Sequence, residues 1–317
     1  MIFYVYFDPQ IIRSAYEAGG LQTLIGVLRN LSKNCFLADF DNYYVRNEIG
    51  DLLRDLLGDY EITVLKKILT HFSKQNLFIE CLKYNYSEGI PESKMAQHQC
   101  EDALLDLLLL DDNTDVNQTI SVEVATLKNY QLTDFEPVRN NLATEGITLN
   151  ASSLTEEEFL EKHFKKAFKY AQNIEILDYL CGQKYGRNYE YTIKQFLNWL
   201  EKINKDDLAI TFHCGFPDAR PSSICTDEDL TAFPDEIEEI KQNKLSEAIN
   251  SHYSKSTIKV ICYDSRFSHD RFVITDQIAF SIGAGMDFLD ARGKIREISI
   301  NFKDPSSVKS KLLSENS

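Results

Sequence analysis

Residues 269–287 read His269-Asp270-Arg271-Phe272-Val273-Ile274-Thr275-Asp276-Gln277-Ile278-Ala279-Phe280-Ser281-Ile282-Gly283-Ala284-Gly285-Met286-Asp287. The aromatic and β-branched run from Phe272 to Ile274 predicts a strand. Successive side chains of a strand point to opposite faces, so His269 and Arg271 are expected on the same side. That side would carry a potential nucleophile beside a fixed positive charge, and a phosphate would fit against both. Arginine stays charged and can offer two N–H groups to two phosphate oxygens. Gly283 and Gly285 remove side chains where backbone would approach a phosphate.

Written as H-x-R-x4-D-x6-G-A-x-x-D, the stretch resembles the phospholipase D signature H-x-K-x4-D-x6-G-S-x-x-N, with Arg271 for Lys, Ala284 for Ser and Asp287 for Asn. The resemblance implies phosphodiester chemistry through a phospho-histidine intermediate. His269 would be the nucleophile, Arg271 the phosphate clamp and Asp276 the acid that supports the histidine, with Gly283 and Gly285 at the phosphate. A covalent intermediate divides one difficult displacement into two easier ones.

From about residue 150 onward the chain also resembles the phospholipase D-like C-terminal domain of microtubule-interacting-and-transport (MIT) proteins and its prokaryotic relatives. Those domains carry a His-Asp-Arg block followed by Gly-x-Gly-hydrophobic-Asp, matched here by His269-Asp270-Arg271 and by Gly283 to Asp287. Their upstream landmark is a strand leading to Asp-Pro-Tyr and then a helix. Here it reads Ile174-Glu175-Ile176-Leu177-Asp178-Tyr179-Leu180, without the proline, with a helix at 191–203. The resemblance implies two function classes. One is a phosphodiester hydrolase, a nuclease more than a lipase, since prokaryotic relatives occur among phage-defence proteins. The other is a non-catalytic module that binds a phosphate, a membrane or a partner protein, as the eukaryotic members do. Neither requires a metal or another cofactor.

Two-histidine chemistry needs a partner for His269. The chain offers His71, His98, His163, His213 and His252, none in a second copy of the motif. His163 has Lys165 two residues on but Tyr170 where the acid belongs, and it reads as part of a solvated helix face. His213 ends a predicted strand and reads first as a core or loop residue. A homodimer would supply the partner, because an isologous interface brings a residue to its own copy.

The composition sets outer limits. Lys plus Arg number 34 against 49 Asp plus Glu, a net charge of −15, which disfavours a protein that coats nucleic acid or an anionic membrane. Nucleic-acid contact would be confined to a local groove. Seven scattered cysteines without a Cys-x-x-Cys pair argue against a disulfide framework and a zinc ribbon. With no leader pattern and no apolar run of membrane-span length, a cytoplasmic protein is expected.

At 317 residues the chain suits two α/β domains, read as 1–150 and 151–317, the second a phospholipase D-like mixed sheet flanked by helices. In the second, Ser153 and Glu156 predict a capping box for a helix through Ala171. Strands are predicted at 174–180, 208–214, 257–263 and 278–283, helices at 191–203 and 234–253, and a polar tail after about 304. In the first, strands are predicted at 2–7, 36–40, 77–82 and 119–126, and helices near 21–31, 45–57, 61–74 and 99–110. Asp8, Asp39, Asp41 and Asp102 fall near predicted strand ends, where open α/β sheets place their sites. Converging on Mg2+ they would make a metal-dependent nuclease, faintly PIN-like. A structural or partner-binding domain is the alternative there.

Overall fold

The structure, a computed structural model, describes residues 2–309 apart from 41–42, 57, 76, 82–89, 118, 145–146, 150–153, 204–207, 219–223, 227–233, 265–269, 297 and 304. The chain divides into two compact α/β units, Met1–Glu145 and Gly146–Ser317.

The first unit is built on a parallel sheet of order β3-β2-β1-β4-β5. Its strands are β1 (Phe3–Phe7), β2 (Cys35–Asp39), β3 (Phe78–Glu80), β4 (Leu107–Leu109) and β5 (Glu123–Ala125). β1, β2 and β4 are buried at every position, as expected of parallel strands covered on both faces. The helices are α1 (Gln10–Glu17), α2 (Leu21–Leu31), α3 (Tyr44–Asp55), α4 (Tyr60–Lys74), α5 (Glu92–Gln99) and α6 (Phe135–Thr144). Helix α2 buries Leu24, Ile25, Leu28 and Leu31, the stripe its spacing predicts. The helix expected over 99–110 is absent. The helical segment lies earlier, at α5, and Leu107–Leu109 form a central strand. An unbroken leucine run carries no periodicity to separate a buried strand from a buried helix.

The second unit holds a seven-stranded mixed sheet of order β6-β12-β11-β10-β7-β8-β9. These are β6 (Ile147–Leu149), β7 (Asn173–Leu177), β8 (Ala209–Gly215), β9 (Lys259–Tyr263), β10 (Phe272–Thr275), β11 (Ala279–Ile282) and β12 (Ile298–Lys303). Strands β7, β8 and β9 run parallel, and the remaining pairings are antiparallel. β6 pairs with β12, which carries the start of this unit back to about residue 146. The helices are α7 (Glu156–His163), α8 (Lys165–Lys169), α9 (Tyr179–Gln183), α10 (Arg187–Ile203) and α11 (Pro234–Asn250). Rings of Phe164, Phe168 and Phe196 join α8 and α10 to Phe280 of β11, with Phe168 stacked on Phe280 at 5.8 Å between centroids. Beyond β12, residues 305–309 form a helical turn that buries Val308 against Leu177, Phe272, Ile274 and Ala279, so the end of the chain is not wholly a polar tail.

The capping box lies two residues beyond its expected place. Thr155 caps α7 and exchanges hydrogen bonds with Glu158, and Ser153 lies outside the described residues. Glu156 instead accepts from the Tyr191 hydroxyl at 2.7 Å. The single helix expected through Ala171 breaks at Phe164 into α7 and α8. His163 is half-buried against the Phe159 ring at 5.4 Å, not on a solvated face, and burial lowers its pKa. Thr155→Ala should cost about 1 kcal/mol, read as a lower urea midpoint by fluorescence. The chain's single tryptophan, Trp199, is buried in α10 and reports unfolding of this unit alone.

Among the described residues, no helix is long and apolar enough to cross a membrane.

Candidate functional site

The antiparallel register of β7 with β10 pairs Leu177 with Phe272 and Ile174 with Thr275. Continued one residue outward, it sets Asp178 opposite Arg271. Asp178 is also the N-cap of α9 and accepts from the Cys181 amide at 3.2 Å. The turn after β11 closes over the same point, where the Met286 amide donates to the other carboxylate oxygen at 2.8 Å. Segments around 178, 271 and 285 thus meet at one end of the β7–β10 pair.

Arg271 lies across this junction. Its Nε is 3.6 Å from Asp178 Oδ1, and its Nη1 donates to the Gly283 carbonyl. The Arg271 side chain keeps 23% exposure while that of Asp178 has 1%. Burial raises the Asp178 pKa to about 6, with the Met286 amide and the Arg271 charge acting against it. Tyr189 of α10 is buried beside the pair, and burial followed by the Asp178 charge pushes its hydroxyl pKa up. Asp287 is ion-paired with Arg296.

The glycines make this packing possible from within. Gly285 adopts φ +63°, and a Cβ there would run into the Asp178 carboxylate and the Arg271 side chain, lying 2.9 Å from Asp178 Cγ. The amide of Gly283 donates to Ser299 O at 3.0 Å, and its carbonyl takes the Arg271 guanidinium. The space left at Gly285 is therefore filled by the Asp–Arg pair, and both backbone groups of Gly283 are already engaged. At Gly182 an added Cβ would strike the Gly215 carbonyl, and at Gly215 it would lie 2.8 Å from the Tyr179 ring. Helix α9 sits directly on the end of β8.

Other expected site residues lie elsewhere. Asp276 falls opposite Asn173 in the same register, five residues from Arg271 along the strand, or about 17 Å. It accepts from the Gln172 and Asn173 amides at 2.7 and 2.9 Å and from the Asn173 side chain at 2.9 Å, so it ties down the start of β7. His269 lies outside the described residues. His213 pairs in register with Leu177, which places it on the sheet face away from Arg271. There its Nδ1 is 2.9 Å from the Tyr263 hydroxyl and its Nε2 3.9 Å from Glu175, whose other oxygen meets Lys309 at 2.7 Å. Burial lowers the His213 pKa against the opposing pull of Glu175. Asp178 entered the sequence reading only as a landmark. Its place at the end of an apolar strand and before a helix was the available signal of a role.

In the first unit, Asp8 and Asp39 are buried at the carboxyl ends of β1 and β2. Asp102 precedes β4 and so lies towards the opposite edge of the sheet, and Asp41 lies outside the described residues. Asp111, just past β4, occupies the strand-end position instead. Asp8 accepts from the Thr114 hydroxyl at 3.0 Å and the Gln10 amide at 3.0 Å, and Asp111 accepts from the Asn113 amide at 3.0 Å. Among the described residues, no three His, Cys, Asp or Glu side chains are placed to hold a metal ion. Of the four acids expected to converge on Mg2+, Asp8 and Asp39 share the carboxyl-end side of the sheet and Asp102 does not.

Protonation of Asp178 links this site to stability. Its pKa is about 6 in the folded state against 3.8 for the ordinary carboxyl. Between these values the folded state binds more protons, so stability falls as pH rises. This one group should remove about 3 kcal/mol from the second unit between about pH 4 and pH 6. Denaturation followed by Trp199 fluorescence across that range checks the sign. No protein-family model matches the chain, and no curated protein is significantly similar to it.

Proposed function

We propose that the second unit is a phospholipase D-like binding module that holds a phosphoryl anion at Arg271 without cleaving it. The observation that carries this reading is the pairing of Arg271 with a buried carboxylate, its guanidinium further tied to the Gly283 carbonyl. A guanidinium tied down on its inner side can receive an anion at its exposed edge. It is poorly placed to follow phosphorus through a displacement, where stabilisation must grow in the transition state. Asp276 lies about 17 Å along the strand from Arg271, where it accepts from the Gln172 and Asn173 amides. Within the second unit a concave surface is lined by Arg187, Glu190 and His252, and neither Asp178 nor Arg271 is among its lining residues.

The second reading is a homodimeric phosphodiesterase, a nuclease of antiviral defence acting through phospho-His269. It rests on the H-x-R-x4-D spacing. One assay separates the two. Wild type, His269→Ala and Arg271→Ala are incubated with single- and double-stranded DNA, RNA and a generic phosphodiester, with and without EDTA, and diester binding is measured by calorimetry. The binding reading expects no EDTA-resistant turnover, with diester binding reduced at least about tenfold in Arg271→Ala, the loss of one charge-assisted contact. EDTA-resistant cleavage that disappears in His269→Ala would overturn it in favour of the hydrolase. EDTA-sensitive cleavage would return attention to the acids of the first unit.

A further inference from the structure

We infer that a phosphodiester anion at Arg271 and the buried Asp178 carboxyl share one guanidinium, so that ligand binding draws a proton onto Asp178 and tightens as pH falls. This inference rests on the binding reading above and names how that site is regulated.

The geometry sets up a competition. Asp178 lies against Arg271 with 1% of its side chain exposed, whereas the Arg271 side chain keeps 23%, so an anion from solvent can reach Arg271 but not Asp178. At 3.6 Å the Nε–Oδ1 contact is an ion pair longer than a hydrogen bond, and the buried Nε has no hydrogen-bond partner among the described residues. The inner carboxylate thus holds Arg271 mainly by charge. An arriving anion meets the same cation from the other side and feels the carboxylate behind it. In this poorly solvated setting that like-charge repulsion is screened weakly. Protonating Asp178 removes it. The bound state therefore favours the protonated carboxyl, and by linkage the protonated carboxyl favours the bound state. The step is one proton taken from solvent by Asp178, with no covalent bond made or broken.

Among the described residues, the titratable groups around Asp178 include Cys181, Tyr189 and Asp287. Cys181 of α9 and Tyr189 of α10 have pKa values raised by their surroundings and stay neutral near pH 6. Asp287, in the turn after β11, is ion-paired with Arg296. The folded-state pKa of Asp178, about 6, puts its charge change within reach of physiological pH.

The test uses the full chain and dimethyl phosphate, a diester whose single charge is constant across the range studied. Titration calorimetry is run from about pH 5.5 to about pH 7.5 in two buffers of different ionisation enthalpy. Binding roughly fivefold tighter at the lower pH, with net proton uptake, is the expected result and corresponds to an Asp178 pKa raised by about one unit on binding. In Asp178→Asn both effects should vanish. If that variant does not fold, carboxyl 13C NMR of the wild type decides, since the Asp178 signal should titrate near pH 6 and shift upward with ligand. Equal affinity at every pH without proton uptake would overturn the inference while leaving the binding reading in place. No binding at any pH would overturn both. A pH dependence that disappears in His269→Ala would assign the proton to His269 and overturn the role given to Asp178.

Discussion

Asp178→Ala should destabilise the second unit by about 1–3 kcal/mol at pH 7, the cost of leaving buried partners unsatisfied, since burial of the carboxylate already offsets much of its attraction to Arg271. The loss has two sources. Arg271 keeps its charge with no carboxylate to answer it, and the Met286 and Cys181 amides lose their acceptor. Urea denaturation read by Trp199 fluorescence gives the number without interference from the first unit, which contains no tryptophan. The double variant Asp178→Ala/Arg271→Ala should recover part of the loss, because the orphaned charge is then gone as well. A double variant as unstable as the sum of the two singles would show that the pair is not coupled.

Gly285→Ala should cost about 3 kcal/mol or more. The left-handed backbone at φ +63° penalises any side chain by about 1–2 kcal/mol. Forcing a methyl group against Asp178 and Arg271 adds about 1–3 kcal/mol of overpacking. Gly186→Ala is the matched control. An added Cβ there meets nothing nearer than the Lys184 carbonyl at 3.6 Å, so its effect should stay within about 0.5 kcal/mol. Equal losses at the two positions would show that generic backbone flexibility, not the crowded junction, governs Gly285.

Much of the fold was legible because its periodicities are local. The alternation from Ile174 to Leu177 and the apolar stripe of α10 mark themselves. The two α/β units match the two-domain expectation, and β6 sets their boundary a few residues earlier because its partner β12 lies about 150 residues further on. β12 went unread although Ile298 and Ile300 alternate with polar residues, a pattern short enough to pass for the loop around it. Leu107–Leu109 misled in the other direction, since three leucines buried between β1 and β5 look the same to a periodicity argument in either conformation.

The junction itself was half legible. Arg271 and Gly285 stand in one motif, but what answers Arg271 comes from 93 positions earlier, where Asp178 closes a different strand. Spacing within a motif cannot reveal a charge that strand register brings from outside it. The same register separates Asp276 from Arg271, although only four residues stand between them in sequence: an extended chain converts short sequence distance into long physical distance.

The pairing of β7 with β10 also carries a consequence for the order in which the protein forms. Residues 173–177 in the middle of the second sheet find their antiparallel partner only at 272–275. During synthesis the first unit has all of its strands once residue 125 is made, whereas the second cannot join its antiparallel and parallel halves until nearly the whole chain exists. Closing that long loop delays the reward for the contacts it brings together. A ribosome-bound chain ending near residue 265 should therefore carry a folded first unit and an unclosed second sheet, with Asp178 still waiting for its arginine.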